Sequence, residues 1–398
     1  MPITSSILHA IISNGCLAHL IAAFIWLFVP RSRLIRYPFF LILIVFVHRT
    51  IISARTIRGL GDQICTYMCG YVLHSHYILI VNRETSPPAK SSLGQFSNVG
   101  TLWFSPRKHL SVSRIPSFSE SDSNYVPSRL VFIFTRIKKL LVGLAIIYFQ
   151  RNYRVKTSAS DYGPPHDRLL SRLLTFSHQN HDDNKITVRE CKIRAFVTLT
   201  ILLAEYNIHT LVHNSASIIG VGLLRQSPSQ WRPIYGPLKE AYTVRRFYGI
   251  FYHNLMRNAF TGNAAWIVDS LLLWVSYSTV ISRIISSHKS DIRRWLINLV
   301  ALVICGIMHS AAIATVNGCP RDGQMRYYLY IFLGILVEDS MFWVVERFHL
   351  RHLYWDRVRS YLRLLGYLWV FLFHCWMIPN SLYQTMYCIR IIYPWPRG

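Results

Sequence analysis

Leu296-Ile-Asn-Leu-Val-Ala-Leu-Val-Ile-Cys-Gly-Ile-Met-His309-Ser-Ala-Ala-Ile-Ala-Thr-Val316 contains no acidic or basic side chain. A helix of roughly 20 apolar residues crosses the hydrocarbon core of a bilayer, and this stretch is long enough. Comparable apolar runs recur near 8–29, 37–54, 64–81, 138–150, 193–222, 260–282, 328–345 and 365–388. The expected architecture is therefore an all-α polytopic membrane protein with about eight or nine transmembrane helices. The run at 138–150 is short, so it either borrows flanking residues or lies in the interface. Pro30 and Pro38 punctuate the first two runs where a helix stops or starts, and Pro379 should kink or end the last.

Composition agrees with that class. Of 398 residues, 52% are hydrophobic and 15% charged, against about 25% charged in soluble domains. The net charge of +25 would suggest nucleic acid in a soluble chain. Here the basic residues fall between apolar runs, as with Arg31, Arg33, Arg36, Arg49, Arg55 and Arg58. Such positions face anionic lipid and set topology, so membrane lipids rather than nucleic acid are the expected partner. The N-terminal run lacks a basic n-region and a small-residue cleavage site, so 8–29 reads as a retained span.

Eight cysteines include Cys16, Cys305 and Cys375 within apolar runs, and none forms a Cys-x-x-Cys pair. They read as buried thiols rather than a disulfide framework or a zinc site. Residues 82–136 are rich in Ser, Pro, Asn and Arg, and are expected to form a polar loop, partly disordered. The polar stretch 151–190 holds His166, His178 and His181 with Asp161, Asp167, Asp182 and Asp183, but in no metalloprotein spacing, so no metal site is expected. No phosphate-binding Gly loop, Gly-x-Ser-x-Gly elbow or His-Glu-x-x-His occurs. Equal halves are not discernible either, which weakens a transporter reading. That alternative keeps some support from Glu205, Asn207, His209 and His213, whose polarity within one apolar run would suit a passage or a tunnel wall.

Two features bear chemistry. His309 sits in an apolar run beside Cys305 and Gly306, where an imidazole either packs against a neighbouring helix or takes a proton from an alcohol. The second is the polar-aromatic stretch 231–257. Read as one helix from 238, it would put Tyr242, Arg246, Gly249, His253 and Arg257 on one face. That face suits either an interfacial helix touching lipid phosphate or the wall of an active site.

These residues carry a resemblance. Arg232-Pro-x-Tyr-Gly236, Ala241-Tyr-Thr-Val-Arg-Arg-Phe-Tyr-Gly249, Tyr252-His253-Asn254 with Arg257, and Gly306-x-x-His309-Ser310 resemble the fungal wax-synthase-like branch of the membrane-bound O-acyltransferases. Gln324 and Glu338-Asp339 resemble a pattern further along in that family. The chain departs from the usual pattern at Tyr248 and Tyr252, where the family has Trp, and at Asn254, where it has Gln.

The resemblance implies transfer of an acyl group from acetyl-CoA, a cosubstrate rather than a bound cofactor, to a terpenoid or meroterpenoid alcohol. A long-chain alcohol, giving a wax ester, is the alternative acceptor. It implies His309 as general base, with His253 and Asn254 as further catalytic residues. Arg245, Arg246 and Arg257 would bind coenzyme A, and Tyr242, Tyr248 and Tyr252 the apolar alcohol. The domain organisation that follows is N-terminal spans over 1–81, the loop over 82–136, and a transmembrane catalytic region over 137–398 with its motifs at 231–257 and 305–339. Residence in the endoplasmic reticulum is implied in the same way.

Overall fold

The computed structural model describes residues 5–55, 57, 61–83, 127–152, 155, 157–164, 166–169, 172, 186–231, 233–252, 256–276, 279–317, 319, 322–348 and 355–392. Among them nine long helices follow the apolar runs. They are α1 (Ser5–Phe28), α2 (Arg33–Ala54), α3 (Gly61–His76, continued by a π-helical turn Tyr77–Val81), α4 (Arg129–Asn152), α5 (Val188–Gly222), α6 (Arg257–Ser276), α7 (Thr279–Asn317), α8 (Asp322–Arg347) and α9 (Trp355–Ile392).

Seven stretches among the described residues are long and apolar enough to cross a membrane, against the eight or nine expected. They lie in α1, α2, α3 with its π turn, α5, α7, α8 and α9. The other two fall short for a chemical reason. The run at 138–150 does borrow flanking residues, and those bring Arg129, Arg136 and Arg151 into α4. Helix α6 is diluted by polar residues along its length, among them Thr261, Asn263, Asp269 and Ser270. The spans turn large apolar side chains outward, among them Leu20, Leu34, Leu41, Val212 and Trp343. Water would penalise such a surface and hydrocarbon does not. The chain is a multi-pass integral membrane protein.

The chain divides into two compact units. One comprises 1–95, 256–332 and 392–398, and the other 96–255 and 333–391. In the first, α1 packs on α2, α2 on α3, and α7 on both α3 and α6. Pro30 follows the end of α1, but Pro38 lies inside α2 rather than at its start. Arg36 corrects the expectation of a lipid-facing cation. It is fully buried, and its guanidinium donates to the carbonyls of Pro30 (2.9 Å), Val29 (3.0 Å) and Leu79 (2.9 Å). Those oxygens lie at two helix ends that helical bonding leaves short of donors, and one planar five-donor group serves both. Asn263 of α6 performs a similar service, donating to the Leu73 and Ala259 carbonyls at 2.9 and 2.8 Å while its own oxygen meets His76 at 2.7 Å.

In the second unit α4 packs on α5. Thr187 caps α5 by accepting from the Glu190 amide at 3.1 Å. The buried Glu190 carboxylate receives Arg172 at 2.8 and 2.9 Å and Arg194 at 2.8 and 3.0 Å. Removing either kind of partner would leave an uncompensated charge in the interior. Pro379 lies within α9 without ending it.

Cys16, Cys65, Cys69, Cys191, Cys305 and Cys375 are free thiols, with Cys16 and Cys191 exposed rather than buried. Cys319 and Cys388 are disulfide-bonded, against the expectation of thiols throughout. His178, His181, Asp182, Asp183 and most of the 82–136 loop lie outside the described residues. Among the described residues no three potential metal ligands come together.

Candidate active site

The motif stretch begins at a fixed anchor. Trp231 is buried, and its indole donates to the Gln226 side-chain oxygen at 2.9 Å. Its carbonyl accepts from Arg136 of α4 at 2.5 Å, and the same guanidinium donates to Asn214 of α5 at 2.9 Å. Gly220 makes the room, since a Cβ there would lie 2.5 Å from the Trp231 ring. Arg232 lies outside the described residues.

Five residues after Trp231, the Gly236 amide donates to the Phe251 carbonyl at 2.9 Å, and a Cβ on Gly236 would meet the Ile250 oxygen at 2.2 Å. Backbone lies against backbone here, and only glycine permits it. By contrast a Cβ at Gly249 would meet nothing within 4 Å, so the close approach belongs to Gly236. Tyr235, between these anchors, donates to the Glu205 carbonyl at 3.1 Å. Burial, and then the charge of Glu205, push its phenol well above the usual tyrosine range, so it stays a donor.

Residues 238–257 do not form the single helix whose face the sequence suggested. A 3₁₀ turn covers Leu238–Glu240, Thr243 is extended, one helical turn covers Val244–Arg246, a π turn covers Phe247–Phe251, and Tyr252 is extended again. The reason lies in the caps. Thr243 accepts from the Arg246 amide at 3.0 Å. The buried Glu338 carboxylate of α8 accepts from the Val244 amide at 2.5 Å, the Arg245 amide at 2.9 Å and the Trp369 indole at 2.8 Å. The first three amides of the turn are thus satisfied by side chains, which starts a new helix at 244 instead of continuing one from 238.

The three tyrosines expected at the alcohol occupy different settings in this unit. The Tyr242 ring lies under two guanidiniums, Arg246 at 4.8 Å and Arg363 at 5.4 Å. Gly366 of α9 lets the Tyr242 backbone come close, since a Cβ there would be 2.2 Å from its carbonyl oxygen. Tyr248 bonds His374 Nε2 at 2.9 Å. The other ring nitrogen, Nδ1, donates to the Val370 carbonyl at 2.6 Å, so in the neutral ring Nε2 is the acceptor and Tyr248 the donor. Tyr252 joins a ring cluster with Tyr235, Phe247 and Tyr248, at centroid distances of 6.0, 5.9 and 5.4 Å. The cluster presents an apolar, polarisable wall with hydroxyls at its edge.

The expected coenzyme A arginines of this unit already hold carboxylates. Arg245 contacts both oxygens of Asp339 at 2.7 Å, and Arg246 pairs with Glu240. A phosphate would have to compete with these partners. Sequence reading noticed Glu338 and Asp339 only as a pattern, and it missed His374 altogether. An i to i+4 rule cannot pair residues so far apart in the chain.

In the other unit His309 is half-buried within the span Ser290–Ile313 of α7. Gly306, one turn earlier, is buried against α8, where a Cβ would lie 2.9 Å from the Met325 sulfur and 3.2 Å from its Cα. That close approach accompanies a stack of the His309 and Tyr328 rings, with centroids 5.4 Å apart and planes inclined by 26°. Tyr327 meets the Tyr328 ring edge-on at 5.2 Å. Arg257 is the exposed first residue of α6. His253 and Asn254 lie outside the described residues.

Residues 231–333 match the model of the membrane-bound O-acyl transferase family. The chain is 24% identical to an acetyltransferase of Humicola fuscoatra over 249 residues, covering 61% of this chain and 55% of that one. It is 25% identical to an acetyltransferase of Calcarisporium arbuscula over 311 residues, covering 75% and 68%. It is 30% identical to an O-mevalon transferase of Aspergillus niger over 162 residues, covering 38% and 35%. The chain therefore spans about half the length of several relatives it matches. No solved structure matches it. The motif stretch and the His309 span both fall inside the matched region, over which the chain is similar to the membrane-bound O-acyl transferase family, and its relatives include fungal acetyltransferases.

Proposed function

We propose that this protein transfers an acetyl group from acetyl-CoA to a hydroxyl of a terpenoid-derived alcohol in the membrane of the endoplasmic reticulum. The observation that carries the reading is the family match over 231–333, which contains both His253 and His309, joined to relatives named acetyltransferases. His309, in an apolar span, acts as general base. It takes the alcohol proton as the oxygen attacks the thioester carbonyl, the carbon–sulfur bond breaks, and the imidazolium returns its proton to the departing coenzyme A thiolate. No covalent acyl-enzyme is needed. His253 and Asn254 orient the acceptor or polarise the carbonyl, and Tyr242, Tyr248 and Tyr252 line its apolar part. Arg245, Arg246 and Arg257 contribute positive charge toward the coenzyme A phosphates, the first two while tied to Asp339 and Glu240. The domain reading follows with one boundary moved: spans over 1–81, a polar loop that begins at 82 and ends where α4 starts at Arg129 rather than at 136, and the catalytic region beyond it.

The test is release of free coenzyme A by membranes carrying the protein. Acetyl-CoA and palmitoyl-CoA are each offered with a terpenoid alcohol and a long-chain alcohol. Acetylation of the terpenoid alcohol is the expected result. A preference for palmitoyl-CoA with the linear alcohol would move the protein to wax-ester synthesis, and solute uptake without thioester consumption would make it a transporter. The relative named an O-mevalon transferase supports a second reading, in which the donor carries a larger polar acyl group, so a mevalonyl thioester belongs in the same panel. Imaging of a tagged chain tests the organelle.

A further inference from the structure

The His309 imidazole lies against one aromatic face. The Tyr328 ring is 5.4 Å from it, with planes inclined by only 26°. This is an offset stack rather than an edge contact, so the negative face of the phenol ring is turned toward the imidazole. The arrangement is built in. Gly306 removes the side chain that would hold α8 off, with Met325 already in contact, and Tyr327 closes on the Tyr328 ring edge-on at 5.2 Å. Both rings are half-buried within apolar helices, where a charge interacts more strongly than it does in water.

A general base becomes a cation at the moment it works. In an apolar span a newly formed imidazolium is costly unless something near it answers the charge. An aromatic face within about 6 Å does so without adding an ion that would trap the base in its protonated form beforehand. We propose that Tyr328 is a positioning residue that fixes the plane of His309 and stabilises the imidazolium through its ring face. This rests on the acyl-transfer reading above. The ring, and not the phenolic hydroxyl, is the working part.

The experiment varies the ring's electron density at constant shape. Full-length protein is made with Phe, 4-fluoro-, 3,5-difluoro- and 3,4,5-trifluorophenylalanine at position 328, and acetyl transfer is measured in membranes beside H309A. Tyr328→Phe should keep most of the parental kcat. Successive fluorination should lower kcat stepwise, by roughly three- to thirtyfold at the trifluoro ring, with both KM values unchanged. Near-identical ring shapes keep folding constant, and a common thermal midpoint across the series verifies this. A flat series, or Tyr328→Phe as inactive as H309A, would overturn the role of the ring while leaving His309 as base. H309A active at the parental rate would instead overturn the acyl-transfer role of His309, and that of Tyr328 with it.

Discussion

The stretch 235–252 and the helix around His309 hold their chemistry in place by opposite means. Around His309 the backbone satisfies itself, and position is set by what Gly306 leaves out. Between Tyr235 and Tyr252 the backbone changes conformation four times, and its amides are held by Thr243 and Glu338. A regular helix transmits sequence spacing directly into space. An irregular segment does so only through the partners that cap it, and those partners are remote in sequence.

The largest test of the contrast is chemical. H309A should stay in the membrane and lose about 10²–10⁴ in acyl-transfer rate, as expected for a missing general base. Parental rates in membrane-inserted protein would reduce His309 to a packing residue. His253→Ala should be severely impaired to a degree that depends on the alcohol offered. Equal loss across a series of alcohols at saturating acetyl-CoA would contradict a role in acceptor positioning.

Next in size is Glu338→Ala, which leaves the Val244 and Arg245 amides and the Trp369 indole without their common acceptor. The expected destabilisation is about 3 kcal/mol or more, with Glu338→Gln intermediate. Thermal unfolding in detergent measures it, and a parental midpoint for the alanine variant would mean that the turn holds itself.

The glycines sharpen the comparison further. Gly236→Ala should destabilise by about 1–3 kcal/mol as the added methyl displaces the Ile250 carbonyl. Gly249→Ala, in open space, should stay within about 0.5 kcal/mol of the parent. Equal effects at the two positions would refute the assignment of the backbone contact to Gly236.

The smallest effect lies outside the spans. Burial raises the Asp161 carboxyl, but the Ser158 amide and hydroxyl and the Arg189 guanidinium outweigh it and hold the group below the usual carboxylate range. A depressed folded value gives stability that is full above the ordinary aspartate pKa of about 3.9 and lost as pH falls through the folded value. Asp161→Asn should therefore lower the thermal midpoint slightly at pH 7, and the difference should shrink in acid. A difference that persists to low pH would show that the carboxylate charge is not its source.

The membrane class, the approximate helix positions and the placement of His309 within an apolar span were legible in the sequence, because apolar length and helical spacing are local properties that survive folding unchanged. The span count was less so. The run at 138–150 was short from the outset and drew Arg136 and other charges into α4, and the run at 260–282 carries Asp269 within it. Arg36 reads in sequence like any juxtamembrane cation, and only the tertiary structure made it a buried cap for two helix ends. The same holds for Glu338 at the Val244 turn, Gly236 against Ile250, His374 on Tyr248 and Tyr328 on His309. Hydrophobic transfer depends on the residue and its neighbours in the chain, so sequence determines which segments enter the bilayer. Hydrogen bonds and ring contacts depend on atoms brought together from remote segments, so the tertiary structure decides which side chains hold the motif.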